Sequence, residues 1–262
     1  MSMNKRFQIK PGQANILGTR IDLLDYMQAI RKIEKVIENR EHCTVGFVNV
    51  YTIMQALEDE ATRSVIDNLS ISVPDGMPLV WLSRYTDTPL KERVYGPDFF
   101  LHCCERSQAG SYSHFLYGSK PEVLQLLELN LKTRFPKIQI AGTHAPPFRP
   151  MNREEENQTI EKINASGADI LWIALGSPNQ EKWMLRVRAR IQIPVMAAVG
   201  AAFDFHAGVI KQAPQKWQKS GFEWLYRLIQ EPGRLSKRYL YYNPLFVLAI
   251  AKQAMGLNRS SN

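Results

Sequence analysis

Six short polar stretches carry the residues whose types and spacing suit chemistry. Asp75 follows the β-rich run Ser70–Val73 and precedes a helical run, in Pro74-Asp75-Gly76. A carboxylate so placed can take a proton from an incoming hydroxyl if burial tunes its pKa, or it can simply end a turn or cap a helix. Arg93, in Glu-Arg-Val-Tyr-Gly-Pro-Asp, offers the forked donor geometry that holds a diphosphate, or is an ordinary surface arginine. Gln180 and Glu181 open a helix after Gly176-Ser177-Pro178-Asn179, where they either cap it or hydrogen-bond sugar-like hydroxyls. Gly118 and Gly176 lie where backbone can approach a ligand closely, next to helix N-termini that favour anions. Asn49 ends an apolar run in the same way, and Asp204 and His206 flank Phe205 after Gly200. Asp-x-His without a third ligand is a weak metal signal, so no metal is expected.

These stretches share one rim only if the elements before them are parallel strands. Thr44–Val50, Ser70–Val73, His114–Tyr117, Ile138–Ala141, Asp169–Leu175 and Pro194–Val199 are short, apolar and β-rich, and most stop at a glycine or proline. Between them lie helical patterns: Asp22–Arg40, Tyr51 onward, from Met77, from Pro97, Pro121–Phe135 with Ser119 as N-cap, Asn152–Ala165, and from Gln180. The alternation predicts an α/β, Rossmann-like parallel sheet with helices on both faces, whose ligands bind beyond the carboxyl ends of the strands. Neither GxGxxG nor GxxxxGK[ST] occurs, so nicotinamide chemistry and ATP hydrolysis lack their usual signatures.

The rhythm stops near Ala207. From there to the end, nine Lys or Arg stand against two acids, Glu223 and Glu231, which accounts for +7 of the net +8. The expected organisation is a catalytic domain over residues 1–206 and a helical, basic, aromatic appendage over 207–262. Such a concentration of charge wants an anionic partner: phosphate, acidic lipid or nucleic acid. Tyr239–Ala254 has only seven consecutive apolar residues between Pro244 and Lys252. That is far short of the ~20 a membrane span needs, yet it suits a helix lying in the interface. Three cysteines without CxxC spacing and an N-terminus without an apolar run point to a reduced, cytoplasmic protein.

The ordered blocks FVNVYTIM, VPDGMPLVW, ERVYGPDF, FLYGSKPEV, ILWIALGSPNQEKW, AVGAAFDFHAG and GFEWLYRLIQEPGRLSKRY make the chain, from about Asn15 to Lys252, resemble the WecG/TagA/CpsF family of glycosyltransferases. The resemblance implies a metal-independent, inverting transfer from a UDP-sugar to a polyprenyl-diphosphate-linked sugar at the inner face of the cytoplasmic membrane, without a cofactor. It implies Asp75 as the base, Asn49 and Gln180 as sugar-side contacts, Arg93 on the diphosphate side and Asp204 on the nucleotide. It also implies an appendage that docks on the membrane and brings Arg227, Arg234 and Arg238 over the site. Family members often carry threonine two residues before the asparagine. Here that place is Phe47, which leaves the donor sugar open. Acceptor and oligomeric state are open too, a homo-oligomer included. The rival reading of the basic tail is a nucleic-acid-binding or RNA-modifying protein, which lacks an RNP, KH or helix-turn-helix signature. A nucleotide-sugar oxidoreductase or epimerase, and a non-catalytic sugar-nucleotide sensor, are further alternatives.

Overall fold

The computed structural model describes residues 4–110 and 112–257; Arg259 of the basic tail lies outside the described residues. After a helical turn at Asn4–Phe7, the chain forms an antiparallel meander of β1 (Gln8–Lys10), β2 (Gln13–Ile16) and β3 (Thr19–Asp22). The sequence reading places the start of a helix at Asp22, and there the structure differs. Asp22 ends β3, and its carboxylate accepts from the backbone N–H of Ser72 at 2.8 Å, fastening the meander to the main sheet. The helix is Tyr26–Glu38, and a reciprocal cap between Asp25 and Gln28 fixes its first turn.

Six strands make the main sheet: β4 (Cys43–Val48), β5 (Ile71–Pro74), β6 (His114–Gly118), β7 (Ile140–His144), β8 (Ile170–Ala174) and β9 (Val195–Ala198). They pair in the order β5-β4-β9-β8-β6-β7, all parallel, as the βαβ rhythm predicts. Strands β4, β5, β6, β8 and β9 are buried along their whole length, because helices cover both faces. One apolar layer holds Phe99, Phe100, Trp172 and Phe203; the other holds Ile53, Leu79, Trp183 and Met196. The chain leaves β4 toward β5 on one side, while β9 flanks β4 on the other. This reversal opens a crevice at the carboxyl ends.

Two local predictions are corrected. The helix expected from Tyr51 onward is two, Val50–Glu58 and Glu60–Asp67, because the carboxylate of Asp59 caps the second by accepting from Thr62 N at 3.1 Å. Ser119 does not cap the Pro121–Arg134 helix. It has φ +59°, and its hydroxyl turns away to donate to Asp204 Oδ1 at 3.2 Å. The preceding Gly118 has φ +120°, and a Cβ there would sit 2.4 Å from the carbonyl oxygen of Ala174, so only glycine lets β6 pass β8 this closely.

The segment after Ala207 is helical: Gln215–Lys219, Glu223–Gln230, Pro232–Ser236, a π-helical turn at Lys237–Tyr241, and Tyr242–Met255. The last helix belongs to the core. Tyr242 and Phe246 enter the same apolar layer as Ile53 and Met196. The buried Gln253 amide accepts from Leu17 N and donates to the carbonyls of Arg6 and Asn15, each at 2.9 Å. Leu240, Tyr241, Val247 and Leu248 stay exposed.

Candidate active site

The carboxyl ends of β4 and β5, together with the appendage that folds back across them, enclose a cavity of about 900 Å³. That is at the large end for small-molecule sites. Its polar wall includes Asn49, Asp75, Arg93, Tyr95, Glu223, Arg227 and Arg238, with Arg84 further along. Trp81 and Leu82 of the Met77–Ser83 helix and Phe246, Val247 and Ile250 of the last helix form an apolar wall. The site is therefore cationic on one side and greasy on the other.

Asp75 is held at the rim because its N–H donates to Val48 O at 2.7 Å, extending the β4–β5 ladder by one residue. Gly76, not Asp75, stands at the helix N-cap position, so capping does not consume the carboxylate. Its Oδ1 is buried without a hydrogen-bond partner among the described residues. Burial pushes its pKa up to about 8, opposed by the Arg93 guanidinium and reinforced by the carboxylate of Glu223. An acid unpartnered and poised near neutrality is what proton abstraction at physiological pH requires.

The arginines differ in their commitments. Arg93 pairs with Glu223, donates to Gln218 Oε1 at 3.2 Å and stacks on Tyr95, 4.0 Å from the ring centroid. Glu223 also accepts from Tyr95 Oη at 2.7 Å, so this buried cluster clamps the appendage to the core. Arg238 projects from the π-helical turn, a helix irregularity frequent at functional sites. It lies 4.5 Å from the Tyr51 ring centroid, and its Nη2 donates to Asn49 Oδ1 at 3.4 Å. Its Nε is buried without a partner among the described residues, and burial pushes its pKa down. Arg227 stands over the Phe205 ring at 5.6 Å and only reaches Glu231 at 4.0 Å. Arg234 is elsewhere: exposed, outside the cavity wall and forked onto Glu231 at 2.9 and 2.5 Å.

Asn49 apart, the remaining residues gather along β6, β8 and β9 instead. Asn49 serves two roles at once, lining the cavity and capping Val50–Glu58 by accepting from Thr52 N at 3.2 Å. Gln180 is buried at the start of the Asn179–Val187 helix, donating to Ala198 O at 3.2 Å and Glu181 Oε1 at 3.0 Å. Asp204, whose pKa burial raises, faces Ser119 beside Gly118; Gly176, with φ +78°, turns the chain after β8. None of Gly118, Gly176, Gln180 or Asp204 is on the wall of the cavity. His206 turns its Nε2 to Pro97 O at 2.9 Å while Asp204 faces Ser119. Phe47 packs on Phe99 at 5.3 Å and beneath Gly96, inside the core.

The sequence reading passed over Glu223, the acid that clamps Arg93, and Tyr51, the ring beneath Arg238. The available signal for Glu223 was its rarity, one of two acids in a basic segment and the one that opens an amphipathic helix.

The sequence profile of the Glycosyl transferase WecG/TagA/CpsF family matches residues 14–260, nearly the entire chain. The parallel sheet, the acid at the mouth of its cleft and the cationic segment folded over it thus sit in a chain that belongs to the WecG/TagA/CpsF family, glycosyltransferases of cell-surface polysaccharide and teichoic acid synthesis.

Proposed function

We propose that this protein moves a hexose-type sugar from a UDP-sugar, with inversion and without a metal, to a polyprenyl-diphosphate-linked sugar. The observation that carries the reading is Asp75, an unpartnered carboxyl in a cavity that also holds Arg93, Arg227 and Arg238. In the transfer, Asp75 takes the proton of the acceptor hydroxyl as that oxygen attacks the anomeric carbon. The bond from this carbon to the diphosphate oxygen breaks, and UDP departs with the electron pair. Attack from one face with departure from the other needs one base, not the paired carboxylates of a hydrolase. The guanidinium groups meet the charge that develops on the diphosphate.

Residues 1–206 would hold the donor, and the appendage would supply arginines and a membrane-facing surface. No helix of the described residues is long and apolar enough to cross a membrane. The exposed Leu240, Tyr241, Val247 and Leu248, beside Lys237 and Lys252, suit reversible docking on an anionic inner leaflet. The apolar cavity wall leaves room for the first isoprene units of an acceptor. The test is a panel of UDP-sugars with a short-chain diphosphate-linked sugar acceptor, read by mass spectrometry, with the product anomer assigned by NMR. UDP release and product formation by wild type, absent in folded Asp75→Asn, support the proposal. Turnover by that variant near the wild-type rate refutes it.

A further inference from the structure

Helix Asn179–Val187 begins with two buried polar residues, and their hydrogen bonding is lopsided. Gln180 is 3% and Glu181 4% exposed. The Gln180 nitrogen uses both its hydrogens, one to Glu181 Oε1 at 3.0 Å and one to Ala198 O at 3.2 Å. Its Oε1 has no partner among the described residues. Glu181 is less isolated, because its carboxyl is within reach of the Ser177 hydroxyl and its own backbone N–H. Turning the amide over would set its oxygen against a carboxylate and a carbonyl, two acceptors, so the network admits one orientation. Both atoms of the amide group lie near Gly200, where a side chain's Cβ would come within 3.9 Å of the nitrogen and 4.0 Å of the free oxygen. Gly200 follows β9 at the crevice where the strand order reverses. Helix capping does not explain Gln180, which lies inside the helix with Pro178 at the N-cap position; Glu181, an acid of the first turn, also accepts from its own backbone N–H.

Buried acceptors left empty cost about 1–3 kcal/mol each, so a fold keeps them where a ligand fills them. We propose that Glu181 is a positioning residue for transfer: it locks the Gln180 amide so that Oε1 accepts a hydrogen bond from a hydroxyl or amide N–H of the donor sugar. The inference rests on the UDP-sugar reading above and adds what the substrate must offer at this point, a donor group. Glu181 also lies within electrostatic reach of Arg238 on the cavity wall, which links the crevice to the cavity holding Asp75.

The experiment is a double-mutant cycle on the full-length protein, using whichever UDP-sugar the donor panel identifies. Glu181→Ala should lower kcat/KM about tenfold or more, while calorimetric binding of UDP, which has no sugar, stays within about twofold. In a Gln180→Ala background the same change should cost less than about twofold, because the residue it acts through is gone. Glu181→Gln retains a carbonyl to receive the Gln180 N–H, and should recover most of the loss. Equal losses in both backgrounds, or a parallel fall in UDP affinity, overturn the positioning role. Should Glu181→Ala not fold, Glu181→Gln decides: activity near wild type supports the role, and a loss as deep as that of Gln180→Ala overturns it. If wild type transfers from no UDP-sugar and binds no UDP, the functional reading itself falls, an outcome distinct from the others.

Discussion

Replacing Asp75 by asparagine should make the protein more stable as well as inactive, by an amount that grows with pH. The folded carboxyl has a pKa of about 8, against 3.8 for an unperturbed aspartate. Between those two values the folded chain holds a proton that the unfolded chain has released, so stability falls as pH rises and levels off above about 8. Each unit of pKa difference is worth about 1.4 kcal/mol, which sets a ceiling near 6 kcal/mol for the whole span. Asp75 opens onto the cavity, and solvent there brings the expected loss to roughly half, ~3 kcal/mol. Asparagine is neutral throughout and carries no such term. Urea denaturation of wild type and Asp75→Asn should therefore give similar stabilities at pH 4 and a variant ~3 kcal/mol more stable at pH 8.5. Such a gain from deleting a functional group is the mark of a fold strained for activity. Stability curves that stay parallel from pH 4 to 9 would refute the claim that this carboxyl is desolvated.

Four further outcomes follow, the first from Asp75 itself and the others from other contacts. The kcat/KM for transfer should rise through an acidic limb near pH 8 in wild type, since only the ionised Asp75 accepts a proton. Glu223→Gln should move that limb to lower pH, because it removes a neighbouring negative charge while its carbonyl still receives Arg93 and its NH2 donates to Tyr95 Oη. His114 is buried between Trp172 Nε1, which donates to its Nδ1 at 2.9 Å, and the Ser107 hydroxyl, and burial holds its pKa at about 3. The unfolded histidine gains its proton near pH 6.5, so His114 should cost wild type about 2 kcal/mol between pH 7 and 5, a loss absent from His114→Gln in the same urea assay. Gln253→Ala should cost roughly 2–4 kcal/mol by urea denaturation, because it strands the N–H of Leu17 and the carbonyls of Arg6 and Asn15 inside the core.

The sheet was legible because each of its strands is a short apolar run closed by a glycine, proline or polar turn, and the structure shifts those runs by only one or two residues at most ends. The meander was not legible. Gln8–Lys10, Gln13–Ile16 and Thr19–Asp22 are short and mixed in polarity, and they are held by pairing with one another and with Ser72 rather than by local preference. Asp59 was hidden inside a continuous helical pattern, although a carboxylate three residues before Thr62 is a start signal. At the site, the sequence supplied the rim residues but not their grouping. The arrangement that puts Asp75 with Arg227 and Arg238, while leaving Arg234 on the surface and Gln180 behind the next strand, depends on how the appendage crosses the sheet. Glu223 was passed over for the same reason: one of two acids among bases reads as solvated until Arg93 is seen beside it.

The last helix is riveted to the N-terminal meander through Gln253, and Ala207 and Ala213 are buried at the other end of the appendage. Residues 214–241 therefore span the cleft as a strap fastened at both ends, not as a free tail. A single proteolytic cut in the strap would leave the two fragments associated, and such a nicked protein would keep its shape while losing the continuous backbone that holds Arg227 and Arg238 over Asp75.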